Sequence, residues 1–550
     1  MSEPESFDCW LIGGGILVAE CGQTLLRRGH RIGAVITDDQ EIREWAREHR
    51  IPWRENLDAA AAASGGRPDF LFSIANGVIL TPGQIQVPRV SAINFHSSPL
   101  PRYAGVNQTC WAIYHGEADY AVSWHVIDPD IDTGDILLQQ WFGLDRDETA
   151  LSLNLKCHSA GVVSFARLVT GLESGDITPR KQDLSQRSYF ARKDTLPHGG
   201  IVSWDSEAAQ IERACRAADH GPFVNRLGVP KIVVGEHVFV LRRAAVVDRP
   251  KGAIGTVEVD GNGSVVVAAT DRGVRIDELT TLDGTAVPPR SAIVASLERA
   301  GIAASPLSYL PAQILEQAAD VARRSARHED EWVDVLDGLQ PVALPGIPDL
   351  TAADVQERQP ISVDRRTKRV LSDTWAASAE IDVALSGWLA AITPRGQEGA
   401  SVLWSTPTLR SVTDGVGMLF ADAVPISVAV PRDATFAEFV ALTADQRAAA
   451  ERRGTFLRDL EARIPRASPR PPLQIAFSEE ADRQDAPSAD SLVTVFLGPR
   501  ASWAVCANTA PDLASEVWWA ASVVARRVQT IICAAAESPT LTLAQLCDMA

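Results

Sequence analysis

No CxxC pair occurs among the eight cysteines of this 550-residue chain (Cys9, Cys21, Cys110, Cys157, Cys215, Cys506, Cys533 and Cys547). Thiols scattered without ligand spacing argue against a zinc ribbon or a dithiol redox motif. They read as reduced, mostly buried small side chains of a cytosolic protein, and no metal is expected. No apolar run reaches the ~18 residues that a membrane-spanning helix needs. The opening MSEPESFD is acidic and lacks the apolar core of a secretory signal, so a cytoplasmic location and no membrane partner are expected. Basic residues are in deficit, with Lys+Arg 52 against Asp+Glu 70 and a net charge of −18. Nucleic acid binding requires clustered Lys and Arg, so no nucleic acid partner is expected.

What is present is ordinary globular material, 46% hydrophobic and 22% charged, long enough for roughly three or four domains. Phe7 to Gly15 (FDCWLIGGG) reads as a buried strand entering a glycine turn. Ile16 to Gly29 has helical apolar spacing at Leu17, Cys21, Leu25 and Leu26, and Ile32 to Thr37 is the next strand. Strand, glycine turn, helix, strand opens a doubly wound α/β sheet. GGGILVAECG lacks the GxGxxG spacing of a dinucleotide fingerprint. Asp69 to Ile74 is a further buried strand, followed by the loop NGVIL and a strand that reaches Asn94.

The chain is organised around Ala92 to Leu137, which holds NFH and, after a helix and a strand, IDTGD. Asn94 and His96 are two apart, so on a strand they share a face. A loop, a helix (QTCWAIYHGE) and a strand (YAVSWHVID) bring Asp132 back to the first strand's end. The bland alternative is a polar strand end with a satisfied histidine.

NFHxSxLPRYxG followed by DTGDIL resembles the 10-formyltetrahydrofolate-dependent formyltransferases. That family formylates methionyl-tRNA, nucleotide amino sugars, and amino acids on nonribosomal peptide carriers. The resemblance covers roughly residues 7 to 300, with its motifs in order at the family's spacing. It implies a Rossmann-like catalytic domain (1–180), a small open β-barrel subdomain (195–300), and 10-formyltetrahydrofolate as formyl donor. Asn94, His96 and Asp132 match the family's catalytic trio. The backbone of Val78, Ile79 and Leu80 and the loop Asp128, Pro129, Asp130, Ile131 and Asp132 match its pterin pocket, although Val78 to Leu80 also read as simple core packing.

The implied chemistry is attack of an amine on a formyl carbon. Negative charge gathers on oxygen, where preorganised donors lower the barrier. Asn94 donates from its amide and a protonated His96 from its ring, with Asp132 expected to raise the imidazole's pKa. His96 or Asp132, directly or through a water, then relays the amine's proton to the folate nitrogen. The leaving nitrogen is aniline-like, so no covalent nucleophile is required. Ala104 stands where the family often has a basic residue, and Pro99 where it often has Leu. Arg102 and Tyr103 either touch substrate or anchor the loop, and His220 reads as structural.

Gln182 to Lys193 reads as a polar linker crossing to the second unit. There, strands are expected at Lys231–Val234, Val238–Val247, Gly255–Val259, Val265–Thr270 and Gly273–Thr280. Residues 301–360 read as a helical linker region punctuated by Pro341, Pro345, Pro348 and Pro360. Residues 361–550, with a helix expected at Lys368–Thr393, resemble the α+β C-terminal lobe of a nonribosomal peptide condensation domain. The condensation motif HHxxxDG is missing, since no HH pair exists in the chain, so no condensation activity is expected. The lobe is expected to serve as a docking or dimerisation platform, for a carrier protein or a second copy. Trp518 and Trp519 are the clue, against the alternative that they are core.

The function expected is N-formyl transfer to an amino acid, an aminoacyl-carrier or a related amine in peptide natural-product biosynthesis. The alternatives are a nucleotide-sugar N-formyltransferase, a formyl-folate hydrolase, and an inactive carrier-protein scaffold.

Overall fold

The computed structural model describes residues 6–63, 66–235, 237–299, 307, 310–346, 352–464, 473–479, 491, 493–498, 501–509 and 511–550. The acidic residues at the start of the chain and Pro348 of the expected linker lie outside the described residues.

Nine strands belong to the first unit. They are β1 (Asp8–Gly13), β2 (Arg31–Ile36), β3 (Trp53–Arg54), β4 (Phe70–Ile74), β5 (Ser91–His96), β6 (Ala104–Gly105), β7 (Asp119–Val126), β8 (Ile136–Gly143) and β9 (Tyr189–Phe190). Seven form a sheet in the order β3-β2-β1-β4-β5-β7-β8. Pairing is parallel from β3 to β5 and antiparallel for β7 and β8. Alternate side chains of β1 enter different cores. Cys9 and Leu11 pack with Leu17, Cys21, Phe165 and Leu168, whereas Trp10 and Ile12 pack with Leu57, Ala60 and Leu80. A sheet covered on both faces needs such continuous apolar strands. The chain reverses its direction across the sheet between β1 and β4, and the carboxyl ends of strands beside such a switch form the crevice of doubly wound folds. Gly13 is required there: its φ is +135°, and a Cβ would lie 1.8 Å from the Ile74 carbonyl oxygen.

The stretch expected to be a linker at Gln182–Lys193 contains β9, which pairs in parallel with β6 and so joins the wall of the first unit.

The second unit contains β10 (Lys231–Val234), β11 (His237–Val247), β12 (Val257–Val259), β13 (Val265–Ala268), β14 (Gly273–Thr280) and β15 (Ala286–Val287). They form an antiparallel sheet in the order β10-β11-β14-β13-β12, with β15 also on β14. The helix Ala208–Ala217 buries Ile211 and Cys215 against Ile232, Leu241 and Ile276.

The C-terminal unit contains β16 (Ala352–Ile361), β17 (Gly399–Ser405), β18 (Val424–Ala429), β19 (Ile475–Glu479), β20 (Val493–Gly498) and β21 (Ser502–Thr509), ordered β16-β21-β20-β19-β17-β18. Part of the region expected to be a linker is therefore strand: β16 pairs antiparallel with β21. The single helix expected over Lys368–Thr393 is two helices, Arg365–Thr374 and Glu380–Ile392. Trp375 breaks them in an extended conformation and sets its ring edge-on to Phe436. From Asp382 to Ile392 every residue is buried, so the second helix is a central element whose surroundings, not its propensity, set its start.

The C-terminal unit is fused to the second unit through a shared core. Ile201 and Val233 pack with Val321 and Ala322 of the helix Ala312–Ser325 and with Val416, Leu419, Phe420 and Leu457. Beside this core lies a buried ionic network. Lys231 Nζ donates to the carbonyls of Gly199 (2.7 Å) and Val229 (3.1 Å) and pairs with Asp459, both side chains being fully buried. Arg463 Nε binds Asp459 at 2.9 Å, and its Nη2 binds Glu329 at 2.7 Å. Removing one member of such a pair strands a charge away from water, at a cost of about 3–5 kcal/mol, whereas replacing both by apolar groups is far milder. Asp459→Ala is therefore expected to lower the denaturation midpoint of the full chain sharply. Lys231→Met with Asp459→Leu should recover most of the loss, and equal loss in both would contradict this account.

Candidate functional site

Strand register assembles the site. Ser73 of β4 pairs with Asn94 of β5, which pairs with His125 of β7. The three side chains form a directed chain of hydrogen bonds. Ser73 Oγ donates to Asn94 Oδ1 (2.9 Å), Asn94 Nδ2 donates to His125 Nε2 (3.1 Å), and His125 Nδ1 donates to the Val126 carbonyl (2.8 Å). The order fixes which end of the Asn94 amide is the donor and leaves its second hydrogen uncommitted in the chain.

His96, on the same face of β5, is only 6% exposed. Its Nε2 donates to the Tyr103 carbonyl at 2.9 Å, which leaves Nδ1 facing Asp132 Oδ2 at 3.7 Å. Asp132 Oδ1 lies 3.6 Å from His125 Nε2. Asp132 has φ +56°, a left-handed conformation that Asp tolerates better than most residues. The turn around it is clamped from several sides. Gly105 N–H donates to Asp132 Oδ2 at 2.8 Å, and Thr133 Oγ1 donates to Asp128 Oδ1 at 2.7 Å. Gln182 Nε2 donates to the carbonyls of Asp132 (2.9 Å) and Gly134 (2.7 Å), and Arg187 Nη2 to that of Ile131 (2.9 Å). Gly105 has φ +94°, and a Cβ on it would sit 2.0 Å from the Phe190 carbonyl oxygen. The strap carrying β9 therefore presses against the loop that holds the carboxylate.

Charge states follow from burial and neighbours. Burial holds the His96 imidazole below its ordinary pKa, and the opposing pull of Asp132 does not overcome it. The expected pull of Asp132 toward the charged ring is present, but burial acts against it and is the larger of the two. Burial pushes the Asp132 carboxyl up, but the pull of His96 and His125 when their rings carry a proton toward it, with the Gly105 N–H, outweighs burial and holds the group below the carboxylate range. The resulting arrangement can offer a base at His96 Nδ1, an anion beside it, and an amide donor at Asn94.

These residues line a cavity of about 460 Å³, together with Val78, Ile79, Leu80, Asp128, Pro129, Asp130 and Ile131. Val78 and Ile79 are 67% and 72% exposed, so they are wall and not core, while Leu80 is buried. Asn76 fixes that wall: its side chain accepts from Val78 N–H and donates to the Val78 carbonyl, each at 3.0 Å. A larger cavity of about 710 Å³, lined by Asp219, Arg242 and Arg243 among others, contains none of the trio; the chemistry, not the size, marks the smaller one.

Arg102 and Tyr103 serve as anchors. Arg102 pairs with Glu117 at 3.1 Å, the buried Tyr103 donates its hydroxyl to Glu117 at 2.7 Å, and the Tyr103 carbonyl receives His96. His220 packs against Cys110 Sγ at 3.2 Å, outside the 460 Å³ cavity. Sequence reasoning passed over His125, Gln182 and Arg187. His125 could have been noticed as a histidine on the strand returning beside NFH. Among the described residues no group of three or more His, Cys, Asp or Glu could hold a metal, and no helix is long and apolar enough to cross a membrane.

Residues 41–169 match the family model described as formyl transferase, and residues 197–294 that of the formyl transferase C-terminal domain. The methionyl-tRNA formyltransferase of Pelobacter propionicus is 30% identical over 276 residues, covering 47% of this chain and 83% of that protein. The GDP-perosamine N-formyltransferase of Brucella melitensis is 30% identical over 225 residues, covering 39% and 85%. The solved N-formyltransferase of Helicobacter canadensis, in complex with folinic acid and dTDP-3-aminofucose, aligns at 19% identity with a TM-score of 0.41, covering 50% of this chain and 100% of its own. The chain belongs to the formyltransferase family, enzymes that take their formyl group from 10-formyltetrahydrofolate.

Proposed function

We propose that this enzyme formylates the amino group of an amino acid, an aminoacyl-carrier or a related amine of peptide natural-product biosynthesis, using Asn94, His96 and Asp132. The supporting observation is the convergence of these three side chains on the 460 Å³ cavity. The hydrogen-bonded wall at Val78–Leu80 and the clamped turn Asp128–Asp132 suit the pterin head of the donor, which supplies an activated formyl carbon on a nitrogen that departs without covalent help. Asn94 donates its second amide hydrogen to the oxygen on which charge develops. His96, kept uncharged by burial, takes the amine's proton on Nδ1, the Asp132 carboxylate stabilises the cation so formed, and the proton passes on to the folate nitrogen as its bond to the formyl carbon breaks. His125 orients Asn94 through their hydrogen bond.

The acceptors in the names of the two relatives are a tRNA and a nucleotide sugar. The net charge of −18 speaks against a tRNA here. The peptide setting rests on the resemblance of 361–550 to a condensation lobe, a platform we read as docking a carrier protein. With it go the division into a catalytic domain (1–180), a second subdomain (195–300), a helical region (301–360) and that lobe.

Loss of formyl-folate absorbance, followed with and without candidate amines, tests the reading. Amine-dependent turnover with a mass gain of one formyl group is the expected result. Turnover without amine would mean hydrolysis, and no turnover would mean a scaffold. His96→Ala and Asp132→Ala are each expected to lower turnover at least ~100-fold with the fold intact; a near-native rate in either would remove the mechanism. The pH profile supplies a separate check. Because the His96 pKa is lowered, its basic form already dominates at neutrality. The acid limb of kcat/KM should therefore lie below 6.5 and flatten toward neutral pH. An acid limb centred above about 7 would contradict the lowered pKa, and an alkaline limb near neutrality that disappears with His96→Ala would show that the ring works protonated.

A further inference from the structure

Among the described residues lining the proposed catalytic cavity, Arg192 alone is a lysine or arginine, whereas Asp128, Asp130 and Asp132 place three carboxylates on one turn. The lining is thus bipolar, with acids in the turn after β7 and a positive charge in the segment after β9. Arg192 is held by Asp330, whose other oxygen is engaged by Arg226. Asp330 is not part of the catalytic sheet. It stands on the helix Glu329–Asp337, which is anchored in the C-terminal unit. Trp332 of that helix is fully buried in the unit's core, Glu331 meets Arg453 Nε at 3.1 Å, and Glu329 meets Arg463 at 2.7 Å. The C-terminal unit therefore reaches the rim of the cavity.

The Arg192 and Asp330 side chains are 58% and 40% exposed. A pair so open to water is weak and easily exchanged, and Asp330 is already divided between two guanidinium groups. A guanidinium fork suits bidentate binding of a carboxylate or phosphate.

We propose that Arg192 is a specificity-determining residue for the formyl acceptor. It takes the anionic group, carboxylate or phosphate, of an amine that carries both charges, and Asp330 is the internal competitor that this group displaces. This rests on the reading that the cavity transfers the formyl group at Asn94, His96 and Asp132. The donor's own glutamate carboxylates are the other source of such an anion.

The test uses the full chain and amine pairs that differ in one anionic group: leucine with leucinamide, ornithine with ornithinamide, and phosphoethanolamine with ethanolamine. Binding is read by calorimetry in the presence of tetrahydrofolate. In at least one pair the anionic member should bind ~10-fold or more tightly than its neutral partner, about 1.4 kcal/mol. Arg192→Gln should abolish that preference while leaving the neutral member and the folate unchanged, and Asp330→Asn should sharpen it. The carboxylate and phosphate pairs show which anion is read. The proposal is overturned by no preference in any pair, by a preference that survives Arg192→Gln, or by weakening confined to the folate, which would assign Arg192 to the donor's glutamate. His96→Ala should keep the preference in binding while losing turnover, so failure of the catalytic reading and failure of this one are distinguishable.

Discussion

The site depends on holding one carboxylate, that of Asp132, against two imidazoles in a place where water is scarce. A buried anion is costly unless its oxygens are satisfied. Here the Gly105 N–H satisfies one oxygen directly, and His96 and His125 face the pair from 3.7 and 3.6 Å. The left-handed turn that aims Asp132 inward is held by Gln182 and Arg187, which bind its carbonyls from a segment some fifty residues away. Much of the surrounding polar structure is therefore support for a single charge.

That support explains the proposed division of labour between the titratable groups. Burial affects acids and bases in opposite senses: it raises a carboxyl and lowers an imidazole. At Asp132 the neighbours outweigh burial, and at His96 burial outweighs the neighbour. One group stays ionised and the other uncharged, side by side. In the proposed transfer, a proton arriving at His96 Nδ1 would create an ion pair that does not exist in the resting site, so the stabilisation would appear only as the reaction proceeds.

The legible parts of the chain were those whose meaning is local. The period-two spacing of Asn94 and His96, the glycine turn at Gly13 and the strands between Lys231 and Thr280 need no distant partner to be read, and each lies close to where it is expected, the last as an antiparallel sheet. His125 was not legible, because its importance arises from the antiparallel register that sets it opposite Asn94. The same holds for Gln182 and Arg187, which looked like linker residues until β9 folded back on β6. Lys231 is the extreme case. A lysine opening an apolar strand reads as a solvated end, and only a carboxylate more than two hundred residues later turns it into a buried ion. The break at Trp375 was likewise hidden, since it answers to Phe436 and not to its own neighbours.

The Lys231–Asp459–Arg463–Glu329 network also bears on why the C-terminal unit sits where it does. Apolar residues of similar volume would hold two packed faces together at least as well as buried charges. The apolar cluster around Phe420 and Leu457 already supplies that adhesion. What charges add is intolerance of error: sliding the faces by one residue leaves several of them unpaired, a penalty that apolar contacts do not impose. Such a lock matters only if something on the docked unit must be placed accurately. Glu329 is the outermost carboxylate of the network, and the next residue along the same helix is Asp330, which pairs with Arg192 on the lining of the proposed catalytic cavity. The register enforced in the buried interface is thus carried, one residue on, to the place where the acceptor would enter.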